Sequence, residues 1–283
     1  MMACGHSTIK TGMEFTPICT PTVSSASPQF EYSVLTGLEK YDGSWSNGTK
    51  NGQGKFFFAD GSYYFGNFVD GKKKGKGAVF FKDGTNFEGN WEENVSSGEG
   101  VMTFKNNEKY EGFFLDGQRN GYGQYFYEDG SIYEGDWKDG VRHGRGNLVL
   151  ANGDRYLGEW RNDLRHGKGT YYYSNGNVYE GQWQQNRKHG IGHLILSSSN
   201  ESYDGEWKEG LRHGKGEFRF STGDVYVGGW EYGKRNGQGS YSWANGDRFI
   251  GLWRGDKMNG KGTFRYANGT SVESDFLNDA RQN

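Results

Sequence analysis

Four histidines, His143, His166, His189 and His213, recur at steps of 23 or 24 residues, and each opens a Gly-x-Gly phrase. A basic residue precedes every one of them: Arg142, Arg165, Lys188 and Arg212, with Arg235 continuing the row before Asn236. Histidines in register raise the question of a metal. Equivalent residues of successive hairpins stand two strands apart, about 9.6 Å, whereas zinc holds its nitrogen ligands at about 2.1 Å. The expected role is therefore a turn-flanking side chain hydrogen-bonded to backbone, with no metal. Gly-Lys-Gly phrases such as Gly75-Lys76-Gly77 share glycines with phosphate loops, but no helical pattern follows them. There is no G-x-S-x-G, no P-loop and no Cys/His constellation, so no cofactor and no enzyme activity is expected.

Two further sets could bind without reacting. The basic row Arg142, Arg165, Lys188, Arg212 and Arg235 could take acidic phospholipid or phosphoinositide head groups, or an acidic partner. The near-zero net charge favours instead a solvated rim balanced by Asp139, Asp163 and Glu209. The second set is aromatic: Tyr133, Trp137, Tyr156, Trp160, Tyr179, Trp183, Tyr203, Trp207, Tyr226 and Trp230. A single-layer sheet leaves such rings with exposed edges, and a long apolar stripe marks an interaction surface. The expectation is a groove that takes a helix or extended segment of another protein. A smaller apolar contact is expected near the C-terminus at Val227, Ile250 and Leu252, where earlier copies carry acidic or polar residues.

What positions these residues is a repeat. The phrase aromatic-x-Gly-x-aromatic begins at residues 41, 64, 87, 110, 133, 156, 179, 203, 226 and 249, with a decayed copy at 272–276. Every step is 23 except one of 24, where the extra residue falls in Ser197-Ser198-Ser199-Asn200. Within a unit, Tyr156, Gly158 and Trp160 alternate with Leu157 and Glu159, and Gly169, Tyr171 and Tyr173 alternate with Thr170 and Tyr172. A period of two means strands. Asn175-Gly176 reads as a type I′ hairpin turn, and Arg161 to His166 as a longer polar turn. The fold expected is all-β: an elongated single-layer antiparallel meander of tandem hairpins, twisted into a solenoid-like trough. Some 20 strands at about 4.8 Å each would extend roughly 95 Å.

This arrangement accounts for a composition of 49 glycines in 283 residues beside 17% aromatics. Collagen, Gly/Ser linker and general disorder do not carry such aromatics. Glycine opposite a bulky ring lets the ring lie across the neighbouring strand, which offsets glycine's weakness in strands. Gly158, Gly167 and Gly169 are all expected beneath rings. On the other face, Lys76, Arg145, Lys168 and Lys215 are expected to pair with acidic residues across the strands. A net charge of −2 gives no general attraction for nucleic acid.

Residues 1–38 fall outside the period and hold all three prolines and both cysteines, Cys4 and Cys19. They are expected to form a loosely held arm, or an extended arm docked on the sheet or on a neighbour. Two cysteines fit a reducing, cytoplasmic setting, and neither a secretory signal nor a myristoylation start is visible. The array is expected over 39–271, and 272–283 as a degenerate eleventh repeat and C-terminal cap, which could fold over Val227, Ile250 and Leu252.

The phrases Tyr133-Glu-Gly-Asp-Trp137 and Arg142-His-Gly-Arg-Gly146, with Asp/Asn-Gly turns on a 23-residue beat, resemble the MORN repeat (membrane occupation and recognition nexus) over residues 41–276. A chain made almost wholly of such repeats and rich in Arg-His-Gly-x-Gly looks most like ciliary radial spoke head MORN proteins. The resemblance implies an elongated β-meander whose aromatic trough binds a partner helix or strand, and a scaffold in the cytoskeleton of a cilium or flagellum. It also implies an alternative, a peripheral membrane adaptor. Homo-oligomers are compatible with both readings.

Overall fold

The structure, a computed structural model, describes residues 38–282. The arm expected at the N-terminus therefore lies outside the described residues, save Leu38. From Lys40 onward the chain forms twenty-two strands, β1 (Lys40–Ser46) and β2 (Thr49–Phe57) through to β21 (Ser271–Leu277) and β22 (Ala280–Arg281), and no helix occurs among the described residues. Each strand pairs antiparallel with the strands before and after it. The result is one open, single-layer sheet of consecutive hairpins, as the alternation and the glycines predict.

One unit stands for the rest: β11 (Arg155–Arg161) and β12 (Leu164–Tyr172), with β10 (Val141–Val149) before them and β13 (Val178–Gln184) and β14 (Arg187–Leu196) after. The two turn types are the reverse of the expectation. The type I′ turn lies between β11 and β12, at Asn162-Asp163, where φ is +49° and +65°. At Asn175-Gly176 only the glycine has positive φ, +86°. There Gly176 N–H donates to Tyr173 O at 2.9 Å and Tyr173 N–H to Asn177 O at 2.9 Å, a three-residue turn ending in a glycine bulge. Asn175 Oδ1 accepts from Asn177 N–H at 3.1 Å, which holds the turn open to that shape. Asn-Gly serves either geometry, and the serine before it supplies the third loop residue.

A bulge fixes the middle of each hairpin. The register jumps from Gly158↔Gly169 to Glu159↔His166, leaving Gly167 and Lys168 unmatched in β12. Gly167 is therefore not beneath a ring. It sits at φ +56°, and an added Cβ would lie 2.6 Å from the Glu159 carboxylate carbon. Gly169 is the residue under the ring, as Gly158 is: a Cβ on Gly169 would lie 2.6 Å from Cε2 and Cζ of Tyr156. The paired glycines thus do two different jobs, one conformational and one steric.

Beside the bulge, the Tyr156 hydroxyl donates to Glu159 O at 3.0 Å. Tyr133, Tyr179, Tyr203 and Tyr226 repeat the contact with Asp136, Gln182, Glu206 and Gly229 at 2.9–3.0 Å. Phe87 and Phe249 occupy the same position without a hydroxyl. Tyr156→Phe is expected to cost about 1 kcal/mol by removing that hydrogen bond. A urea midpoint unchanged by the substitution would show that the hydroxyl is idle.

The C-terminal segment takes the place of an eleventh repeat's first strand, without the expected fold over the opposite face. β21 pairs with β20 (Lys257–Arg265) in the register of a repeat's first strand, with Gly262↔Ser274 in place of the usual glycine pair. β22 adds two residues to its edge. The segment continues the sheet sideways and does not fold over Val227, which stays 50% exposed. The physical reason is that Val272 and Phe276 keep the alternation, so their strand belongs in the ladder.

Candidate interaction surface

The ring face is a continuous edge-to-face zipper. Tyr156 lies 5.2 Å from Trp160 of its own unit and 5.4 Å from Trp183 of the next, at interplanar angles of 87° and 82°. Tyr179 repeats this with Trp183 at 5.1 Å and Trp207 at 5.3 Å. The same contacts run through Tyr133, Tyr203 and Tyr226. Such pairs contribute about 0.5–1.5 kcal/mol each beyond the area they bury. Each indole N–H reaches back across the preceding strand: Trp160 Nε1 donates to Gly146 O at 3.3 Å, Trp183 Nε1 to Gly169 O at 3.0 Å and Trp207 Nε1 to Gly192 O at 3.0 Å.

These rings do not present open edges. The five tyrosines are 0% exposed and the five tryptophans 4–5%. Burial pushes their phenol pKa values well above the ordinary tyrosine range. The open aromatic groove is therefore corrected to a closed ladder. What closes it is the basic row. The guanidinium of Arg142 lies 4.4 Å from the centroid of Trp160, Arg165 is 4.7 Å from Trp183, Arg212 is 4.4 Å from Trp230 and Arg235 is 4.4 Å from Trp253. Lys188 Nζ is 4.8 Å from the Trp207 ring. Arg119 over Trp137 and Lys73 over Trp91 extend the row beyond the residues singled out from the sequence. The two sets are thus one cation–π construction. A solvated rim was the wrong picture because each stem lies along ring surface with its head over the next unit's tryptophan.

Most head groups are also spent on the following turn. Arg142 Nε bonds Asp163 Oδ1 at 2.9 Å, and Arg235 Nε bonds Asp256 Oδ1 at 3.3 Å. Arg165 reaches Asn186 O at 3.2 Å, Arg212 reaches Gly233 O at 3.0 Å and Arg119 reaches Gly140 O at 2.6 Å. Burial lowers the Arg212 pKa. Lys188 differs. Its pKa is pushed down to about 8 by burial.

The opposite face differs from expectation as well. Its acidic residues do not pair with Arg145, Lys168 and Lys215. Asp136 and Glu206 instead accept the backbone N–H of Arg145 and Lys215 at 2.8 Å, and Glu159 that of Lys168 at 3.1 Å. Gln182 does the same for Ile191 at 2.9 Å. A bulge exposes a backbone donor next to a short acceptor, and that local bond wins over a solvated ion pair. Val227 faces Glu217 and Ser240, Ile250 faces Ser240 and Thr263, and Leu252 faces Gln238. All three lie on this face, with Leu252 38% exposed. The expected backbone bond is not made by His143 Nδ1, which is buried without a partner among the described residues.

A second ring row was missed from the sequence. Tyr125, Tyr171 and Tyr241 donate to Glu108, Asp154 and Asp224 at 2.6–2.7 Å. The Ser174 N–H and the Tyr171 hydroxyl hold the Asp154 carboxyl below its ordinary range. The signal was present in the common spacing of each tyrosine from the acid 17 residues before it.

A hairpin array in which every unit buries its rings only against its neighbours is a repeat protein of the interaction-module kind. Ten segments, at 41–63, 64–86, 87–109, 110–132, 133–155, 156–178, 179–201, 203–225, 226–248 and 249–271, match the MORN repeat, and the chain belongs to that family. No curated protein matches the chain. Among solved structures, the chain is similar to the TCP10 domain of Danio rerio CPAP in complex with a STIL peptide, at 9% identity, over 84% of this chain and 100% of that one, with a TM-score of 0.44. It is also similar to the TCP domain of Drosophila melanogaster SAS-4 in complex with a proline-rich motif of Ana2, at 15% identity, over 54% and 83% of the two chains, with a TM-score of 0.34. Scores this low carry no argument about function.

Proposed function

We propose that this chain is a non-catalytic scaffold that holds other proteins in a cytoskeletal assembly, the radial spoke head of a ciliary or flagellar axoneme. The observation that carries the reading is the ladder. Successive units repeat one packing scheme, and their turns and the face opposite the rings stay accessible, so partners can be held at fixed spacing. The residues from Tyr133 to Trp230 act by keeping that spacing, while Val227, Ile250 and Leu252 offer an apolar contact. The Arg-His-Gly-x-Gly phrases at Arg142, Arg165 and Arg212 favour a radial spoke protein. A membrane adaptor would need the same row of cations free for head groups. Most of that row is spent on rings and turn oxygens, which weighs against it.

Extraction separates the two. The scaffold is expected to stay with detergent-stripped axonemes. Release with the membrane fraction, together with salt-sensitive pelleting on phosphoinositide vesicles, would sink the scaffold reading.

A further inference from the structure

The row of cations over the ring ladder has one interruption at its centre. Between Arg119 and Arg235 every rung but one is an arginine whose head group has found an oxygen in the following turn. The exception is Lys188. Its Nζ lies 5.5 Å from the Tyr173 ring, 4.9 Å from Tyr179 and 4.8 Å from Trp207, and it has no hydrogen-bond acceptor among the described residues. Lys188 makes no hydrogen bond to the Gly210 carbonyl, whereas Arg212 bonds the equivalent Gly233 O at 3.0 Å.

Beside it is a depression lined by Arg165, Tyr171, Tyr173, Trp183, Arg187 and Lys188, with Asn186 and Gly210 closing it. Three cations and three rings line it, and no carboxylate does. Asp154, an acid beside that ring row, is already bonded to Tyr171 and to the Ser174 N–H. Lys73 is also an unpaired lysine rung, but its neighbours Lys72 and Lys74 are paired with Glu93 and Glu92. Around Lys188 the flanking residues are Arg187 and His189.

We propose that the depression at Lys188 is an anchor for an acidic segment of a partner protein, taking a carboxylate on Lys188 and the adjoining apolar side chain on the half-buried ring of Tyr173. A carboxylate there would make the charge-assisted bond that every arginine rung already has. A single site among internally satisfied cations suits one side chain of a peptide, whereas a membrane surface engages many basic residues at once. The inference rests on the scaffold reading and names its partner's chemistry.

The low pKa of the ammonium, which burial causes, supplies a signature. The groups around it are the rings of Tyr173, Tyr179 and Trp207, with Arg165 from β12 and Arg187 from its own strand lining the same depression. A bound carboxylate favours the charged amine, so affinity is full below about pH 8 and falls as pH rises through it. The probe is a blocked tetrapeptide of alternating glutamate and leucine, titrated into the full chain while the indole N–H signals of Trp183 and Trp207 are followed by NMR. A saturable shift is expected whose affinity falls several-fold, at most about tenfold, between pH 7 and pH 9. Lys188→Met and Lys188→Arg should both weaken it at least tenfold, the arginine because it takes the Gly210 carbonyl as Arg212 takes Gly233. Both should keep the wild-type circular dichroism. No shift with the peptide, a shift that Lys188→Met leaves intact, or a response at these indoles to phosphatidylserine vesicles but not to peptide would overturn the proposal. Each of those results leaves the extraction test of the scaffold unaffected.

Discussion

Replacing Gly169 with alanine is expected to destabilise the array by about 3 kcal/mol, near the upper end of what overpacking usually costs. The new Cβ would lie 2.6 Å from two ring carbons of Tyr156. That ring cannot withdraw. It is wedged edge-on between Trp160 and Trp183, and its hydroxyl is tied to Glu159 O. Gly167→Ala, two residues earlier, should cost only about 1 kcal/mol, the order of a residue forced into the left-handed region. Its Cβ would meet the end of the flexible Glu159 side chain, which can swing away. Equilibrium urea unfolding of both variants decides the matter. Hydrogen exchange should show the Gly169→Ala damage concentrated in β11 to β13. Equal costs at the two positions would mean that the steric division of labour between the paired glycines is wrong.

Trp183→Ala should cost about 4 kcal/mol, as expected for removing a large buried aromatic ring. Four contacts go at once: the edge-to-face pairs with Tyr156 and Tyr179, the indole bond to Gly169 O and the platform under Arg165. Because units touch only their neighbours, the loss falls on the junction between the sixth and seventh repeats. Unfolding should then split into two transitions, since the halves on either side keep their own ladders. Trp183→Phe keeps a ring and should stay single-transition with a loss of about 1.5 kcal/mol. A single, unshifted transition for Trp183→Ala would contradict a stability carried by the ring zipper.

Much of this was legible in the residues. The beat of the aromatic-x-Gly-x-aromatic phrase locates every first strand, and the glycines mark the ring positions, because a period of two has only one sheet solution. The turns were harder. Asn175-Gly176 permits two hairpin geometries, and only the hydrogen bonds of Tyr173 choose between them. The bulge at Gly167 was not visible, since strict alternation places Gly167 and Gly169 on one face and only a register shift separates them. Arg142 and Trp160 were read as separate sets because they lie 18 residues apart in different repeats, and a contact between units has no signature within one. That contact turned an open groove into a closed ladder. Asp136 and Glu159 looked like surface charges for the same reason: their partner is a backbone N–H that only the bulge exposes.

The measurement that bears most directly on the scaffold is proximity labelling in the source cell, with a biotin ligase fused to the full chain and the labelled set compared before and after detergent extraction. The account predicts that axonemal proteins dominate the labelled set and remain dominant once membranes are stripped. A set dominated by membrane-associated proteins and lost on stripping would contradict it.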